Sequence, residues 1–489
     1  MRRIMKRSKT QFIVFFYLLC GFYSMGQTLT DAIFSIPDTA RSFSIESFYY
    51  IVIANHPVAR QTNLLTDVAK QEIRLARGNF DPKIEVQYLT KNFNDTEYYQ
   101  VFNGSLALPT LLPFDPKIGV ERNEGQYLNP ERFISNQFNY KQFYAGISLP
   151  LGRGLITDER RIALKQAELF KDLTEAEQVK QLNYLLLNAA KDYWHWYNAY
   201  YNFRLLNRGV EVANEIFQRT KINAELGEAA PIDTIQAKIT LQQRLIEQQE
   251  ALLDFQNTGI VLSTYLWDSL GNPLALTPAL VPVLKRDLLV LSTGELEELT
   301  EQARKNHPEL QKLAITLLRL ENERKLAAEF LKPRLDLNYS LLNQPFDPEW
   351  NTNVNLSENY KFGVDFSFPV LLRKERSKLA LTRLKISGTQ YERNLAERQV
   401  VNEINTTHNA LVNTAAIMNN QASMVSNYER ILQAELLNFE NGESDLFKIN
   451  IQQEKLIQAQ TKLVKLMADY EKQKAMLYWA AGVRNLGAL

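Results

Sequence analysis

Apolar residues along this chain recur with two different periods. Four short segments alternate apolar and polar positions, the rhythm of a strand with one greasy and one wet face. They are Lys83 to Leu89 (Ile84, Val86, Tyr88), Lys141 to Leu149 (Phe143, Ala145, Ile147, Leu149), Arg334 to Ser340 (Leu335, Leu337, Tyr339) and Lys361 to Phe368 (Phe362, Val364, Phe366, Phe368). The spacing predicts four strands, at 83–89, 141–149, 334–340 and 361–368. The remaining long segments carry the helical period. They predict helices over 46–79, 157–226, 232–268, 295–332, 373–440 and 446–481, punctuated by Pro150-Leu151-Gly152, Gly227 and Pro231, Pro369, and Asn441-Gly442.

Two of these helices are very long. About 70 residues at 1.5 Å per residue is about 105 Å, and the shorter helices on either side, laid end to end, match that length. Their apolar positions have coiled-coil spacing. Val401, Ile404, His408, Leu411, Ala415, Met418, Ala422 and Val425 step by three and four, and Ile449, Leu456, Leu463, Tyr470 and Leu477 recur every seven. Small and polar residues in the seam suit helices with neighbours on two sides.

The order helix, strand, strand, long helix, helix occurs twice. Asn55-His56-Pro57 and Asn306-His307-Pro308 stand 251 positions apart, and Pro82 lies opposite Pro333 at the same offset. A duplication of this length predicts one architecture built twice. Its first repeat is 27–270 and its second 295–489, with a Pro-bearing linker at 271–294. Pro57 restarts a helix, with Asn55 as the expected cap. Pro150 and Pro369 are only 219 apart, so the first half holds 32 additional residues, which fall in the irregular stretch Asn92 to Gln137.

Arg2, Arg3, Lys6, Arg7 and Lys9 precede an apolar run, Phe12 to Phe22, and the small residues Ser24 and Gly26 follow. This predicts a signal peptide over 1–26; an anchoring helix is the alternative, but the run is too short to span a bilayer. Cys20 is the single cysteine, and Tyr17 and Leu19 before it do not fit a lipoprotein signal. The mature chain therefore has no disulfides and no thiolate metal sites. The 56 basic residues less those five leave 51 against 55 acidic ones, which is no nucleic-acid signature. No later apolar run approaches 18 residues, so an exported chain of this kind enters a membrane only as a closed β-barrel. Four strands cannot close one, because about eight is the practical minimum. If the apolar face meets lipid, several copies must pool strands.

The doubled order of elements resembles that of the TolC-like outer-membrane efflux proteins. So do Asn-His-Pro near the start of each half and Pro150-Leu151-Gly152 followed by Arg160-Arg161. Gly227 with Ile232-Asp233-x-Ile235-x-Ala237, and the terminal Tyr478-Trp479-x-Ala481-Gly482, are similar too. The resemblance spans essentially the whole mature chain. It implies a mixed α and transmembrane β fold: a trimeric 12-stranded outer-membrane β-barrel on a long periplasmic α-helical (coiled-coil) barrel. It implies a homotrimer that works with a periplasmic adaptor and an inner-membrane pump of RND or ABC type, and it places 271–294 in a girdle around the tunnel. It also implies a closed periplasmic entrance at the two helix turns. Glu225, Gly227, Glu228 and Asp233 belong to the first turn, and Phe439, Glu440, Gly442, Glu443 and Asp445 to the second. Rings of such carboxylates favour cations; an ordinary solvated turn is the alternative. The best-known member latches its entrance with a Tyr and an Arg where this chain has Phe439 and Ser444. Lys448 and Asn450 stand where acidic residues are expected. By topology the stretch 92–137 faces the cell exterior and is expected to cap or narrow the barrel mouth.

No constellation for catalysis stands out. His56 and His307 belong to the repeated turn, His408 to the heptad seam, and His195 to the packing cluster Tyr193-Trp194-His195-Trp196-Tyr197. There is no metal-ligand spacing, no P-loop and no nucleophile elbow, and Gly152-Arg153-Gly154 is too short for a nucleotide fingerprint. The chain is therefore expected to be no enzyme and to carry no cofactor. It reads as an outer-membrane exit duct that passively exports small molecules. A type I-like protein secretion duct and a coiled-coil stalk without a pore remain the alternatives.

Overall fold

A computed structural model of the chain describes residues 41–136, 139–227, 230–277, 279–283, 292–343 and 358–483. The expected signal peptide, Glu228 and most of the linker 271–294 beyond position 283 lie outside these residues. The described elements, in chain order, are β1 (Arg41–Phe43), α1 (Ile45–Asn55), α2 (Pro57–Arg77), β2 (Lys83–Phe93), β3 (Thr96–Ala107), β4 (Asp115–Glu124) and β5 (Lys141–Pro150). There follow α3 (Glu159–Glu225), α4 (Pro231–Ser263), β6 (Leu280–Pro282), α5 (Thr293–Asn306), α6 (Pro308–Glu329), β7 (Arg334–Asn343), β8 (Tyr360–Ser367), α7 (Arg373–Glu440) and α8 (Leu446–Ala480). Two compact units emerge, and neither follows one sequence half. The first gathers residues up to 61, 180–307 and 399–489, and the second gathers 62–179 and 308–398.

The Asn-His-Pro signals act alike in both places. A residue before proline is pushed out of the helical region into extended backbone. His56 takes φ −61° and ψ 134°, and His307 takes φ −60° and ψ 128°. Each ends a helix by donating its N–H to a carbonyl four residues back, and the proline opens the next helix. The cap expected at Asn55 is thus displaced by one residue to His56, whose Nδ1 also accepts the N–H of Val58 at 3.2 Å. For the same reason the helices expected over 46–79 and 295–332 are each two helices.

In the first unit, one core gathers the aromatic run on α3. Tyr193, Trp194, Trp196 and Tyr197 are buried, together with Phe43 and Phe48, while His195 points outward beside Lys472. The Tyr193 hydroxyl donates to the Phe43 carbonyl at 2.7 Å, and the Tyr201 hydroxyl donates to the Pro282 carbonyl at 3.3 Å. These bonds hold the parallel β1–β6 pair on α3. On α8 the seven-residue series Ile449, Leu456, Leu463, Tyr470 and Leu477 is buried throughout. On α7 the seam keeps Ile404, Leu411 and Val425, but its alternate positions are Thr407, Thr414 and Gln421. The expected Ala422 is exposed, and His408 and Ala415 are only half-buried. Two of the polar groups there are bonded across the pair. Gln421 Nε2 donates to the Ala459 carbonyl at 2.9 Å, and Gln460 Nε2 donates to Glu429 Oε1 at 3.1 Å.

The second unit holds an antiparallel sheet of order β2-β3-β4-β5-β7-β8. The first half therefore contributes four strands, not two. β3 and β4 occupy much of the segment read as irregular at 92–137, which corrects the helix-strand-strand-helix-helix reading of that half. The connection after β4 leaves the sheet. It turns back so that Asn123 Nδ2 donates to the Arg132 carbonyl at 2.9 Å and Ile134 is buried.

The turn Pro150-Leu151-Gly152 joins the sheet to α3 by continuing the ladder. Leu151 N donates to the Leu335 carbonyl at 2.7 Å, and Arg153 N donates to the Pro333 carbonyl at 2.9 Å. Between them the two chains run so close that a Cβ on Gly152 would lie 2.1 Å from the Pro333 carbonyl oxygen. Gly152→Ala is therefore expected to destabilise the protein by about 1–3 kcal/mol, the usual cost of overpacking against backbone. Thermal unfolding in detergent checks this, and an unchanged melting temperature would refute the tight junction.

Candidate functional site

The sheet presents two chemically distinct faces. Residues paired directly across antiparallel strands share a face. Ile84 pairs with Leu106, Tyr88 with Phe102, Leu106 with Ile118, Val120 with Phe143, Ile147 with Tyr339, and Tyr339 with Phe362. These residues make one apolar surface across the strands. It is not a core: Ile84 is 81% exposed and Phe366 67%. A solvated protein rarely leaves so broad an apolar surface uncovered.

The opposite face is polar and internally bonded. Asn103 Nδ2 donates to Glu121 Oε1 at 3.2 Å, the Tyr144 hydroxyl donates to Asn103 Oδ1 at 3.1 Å, and Asn338 Nδ2 donates to Asp365 Oδ2 at 2.8 Å. Lys117 pairs with Glu85 at 3.1 Å. Tyr144 reaches Asn103 across β4 because Gly119 leaves the way clear; a Cβ there would meet its ring at 2.5 Å. Apolar outside and polar inside is the pattern of a membrane-spanning β-barrel wall.

The helices carry a second uncovered surface. On α4, Ile232, Ile239, Ile246, Leu253 and Ile260 recur every seven residues and are all more than half exposed. On α7, Ile417, Met424 and Ile431 recur every seven and are exposed too. Heptad stripes of this kind are seams for further helices.

The two turns singled out in the sequence share a backbone. Gly227 and Gly442 both take φ +78°, a left-handed conformation that glycine adopts without strain. Asp233 and Asp445 are engaged as helix caps: Asp233 Oδ2 accepts the Ala230 N–H at 3.3 Å, and Asp445 Oδ1 accepts the Lys448 N–H at 2.9 Å. Glu225 is exposed and pairs loosely with Lys221 at 3.9 Å, and Glu443 is exposed as well. Glu440 ends α7. Phe439 is half-buried against the seam of α7 and α8, and the Ser444 hydroxyl donates to Glu435 Oε2 at 2.6 Å. Both residues at the positions of the family's latch are thus used within their own hairpin. Sequence reading missed the clasp above the turns. There the buried Arg244 on α4 meets Glu247 at 2.7 Å and Glu454 on α8 at 2.5 Å. Burial acts to raise the Glu454 carboxyl, but the hydrogen bond and charge of Arg244 outweigh it and hold it below its ordinary value. Among the described residues no cluster could hold a metal ion, and no helix is long and apolar enough to cross a membrane.

Residues 299–483 match the family described as outer membrane efflux protein. No curated protein sequence matches the chain. Solved structures share its fold at low identity. The CmeC outer membrane channel of Campylobacter jejuni is 13% identical, with 90% of this chain and 85% of that one covered and a TM-score of 0.61. The outer membrane protein VceC of Vibrio cholerae is 13% identical, with coverage of 90% and 96% and a TM-score of 0.60. The open MtrE outer membrane channel of Neisseria gonorrhoeae is 12% identical, with coverage of 90% and 88% and a TM-score of 0.62. Residues 299–483 thus match the outer membrane efflux protein family, and over its length the chain has the fold of these outer membrane channels.

Proposed function

We propose that the chain is the exit duct of a tripartite efflux system, a homotrimer through which small molecules pass passively from the periplasm to the cell exterior. A periplasmic adaptor and an inner-membrane pump complete the system, and the pump supplies the energy. The reading rests on one observation: among the described residues the sheet's apolar face is exposed and both of its edge strands, β2 and β8, lack a neighbour on one side. An open edge is not tolerated in hydrocarbon, so the sheet must close with other copies. The exposed stripe on α4 calls for the same copies. A bonded polar face opposite the apolar one favours a water-filled bore over a solid stalk. A secreted polypeptide would use a similar bore, and the identity of the pump that co-purifies with the chain separates the two kinds of cargo.

At the helix turns, Glu225, Glu228, Glu440 and Glu443 would be repeated by threefold symmetry into carboxylate rings that favour cations. Asp233 and Asp445 contribute less to such rings, because each already accepts a backbone hydrogen bond.

Purified protein added to a planar lipid bilayer is expected to give discrete conductance steps with a preference for cations. The paired substitution Glu225→Gln and Glu443→Gln should weaken that preference; absence of any current would leave only the stalk. Ile239→Asp with Ile246→Asp buries charge in the proposed seam between copies. It is expected to shift the detergent-solubilised protein from trimer toward monomer in analytical ultracentrifugation, and an undisturbed trimer would remove α4 from the interface.

A further inference from the structure

The strands β3 and β4 are the feature that the doubled architecture does not explain. Each is long enough to cross a membrane as a tilted strand, with 12 and 10 residues beside 11 in β2 and 10 in β5. Each continues the two-faced pattern of its neighbours. Phe102, Leu106, Ile118 and Val120 lie on the apolar face, and Asn103, Ser105, Lys117 and Glu121 on the polar one. The ladder runs from β2 to β8 through antiparallel pairs with a register at every step. The bond from Tyr144 to Asn103 ties β5 to β3 across β4. The hairpin is wall, not an appendage.

The parity of the sheet matters as much as its size. Five successive antiparallel pairings leave β2 and β8 antiparallel to each other. Rotated copies can therefore join β8 of one to β2 of the next and keep the alternation unbroken around a ring, a head-to-tail interface that closes. Six strands fall short of the eight needed for closure, so a single copy cannot make the ring by itself.

We infer that each copy gives six strands to the barrel, not four, so that three copies of the sheet build an eighteen-stranded wall. The partner at each sheet edge is a second copy of this chain. The inference rests on the trimeric duct proposed above. At the usual strand spacing and tilt, eighteen strands set a backbone radius of about 18 Å, against about 12 Å for twelve. A wall of that size leaves an aqueous channel where a small barrel is filled by side chains. The connection after β4 lies against the polar face, so it occupies part of this wider bore on the inner side of the wall.

Two measurements on the assembled trimer test this. The single native cysteine lies in the expected signal peptide, so introduced cysteines report alone. A water-soluble maleimide should label Asn103→Cys and Lys117→Cys at least tenfold faster than Phe102→Cys and Ile118→Cys. Asp365→Cys and Phe362→Cys on β8 serve as the control pair. Alternation on β8 without alternation on β3 and β4 would overturn the six-strand wall and leave the duct standing. Loss of alternation on both would overturn the duct itself. Spin labels at Ile147→Cys should give one distance between copies whose backbone part is about 30 Å for eighteen strands against about 20 Å for twelve, a difference of about 10 Å that remains after the outward reach of the label is added to both. The shorter distance would overturn the inference.

Discussion

Backbone hydrogen bonds cannot be left open in hydrocarbon, and that constraint governs the sheet. Each unpaired N–H or C=O that water would otherwise satisfy costs several kcal/mol in lipid. The sheet meets the constraint at every interior strand and at neither edge. Its side chains point to lipid on one face, since Ile84, Phe362 and Phe366 are left exposed by the described residues. The polar face excludes a second lipid contact on the other side. The local pairing rule, the two-faced alternation and the proposed outer-membrane location are thus three expressions of a single requirement.

The helices solve a different problem. A helix with neighbours on several sides needs more than one seam, and each seam must specify its own partner. The inner seam between α7 and α8 alternates apolar layers with bonded polar ones, where Gln421 meets Ala459 and Gln460 meets Glu429. Such layers fix register, because a shifted pair would leave buried amides without partners. The uncovered stripe on α4 is plain Ile and Leu. The seam formed inside one chain is marked by polar layers, and the stripe proposed for contact with other copies relies on apolar area.

The long helices were legible because nothing interrupts them. Gly227 with Pro231 and Asn441-Gly442 mark their ends, and α7 begins and ends where the sequence places it, at Arg373 and Glu440. The strands β5 and β8 were legible from clean alternation. β3 and β4 were not, because both blur the rhythm. Val101 and Tyr99 put apolar bulk on the polar side of β3, Gly104 and Gly119 remove side chains, and Arg122 sits on the apolar side of β4. The surviving signal was the pair Phe102 and Leu106 answered by Ile118 and Val120, and 32 additional residues are enough for two strands with their turns. At the helix turns the sequence showed acidic residues but not their duties. Asp233 and Asp445 are caps, a role their positions just before or within a first helical turn already offered. The Arg244–Glu454 clasp joins residues 210 positions apart, a pairing that only the fold reveals.

The duplication and the sheet also stand in a particular relation. Two equal halves would give equal numbers of strands, and any even addition to one half preserves the antiparallel alternation around a closed ring. An added single strand would bring β2 and β8 parallel and spoil the junction between copies. An added hairpin does not, because it enters and leaves from the same end of the sheet: β2 and β4 begin where the helices adjoin, near Lys83 and near Asp115 with its partner Arg160. The insertion is therefore of a kind that a closed wall accepts without change to its neighbours. It enlarges the circumference while the turn at Pro150-Leu151-Gly152 still hands the last strand of that half to its helix.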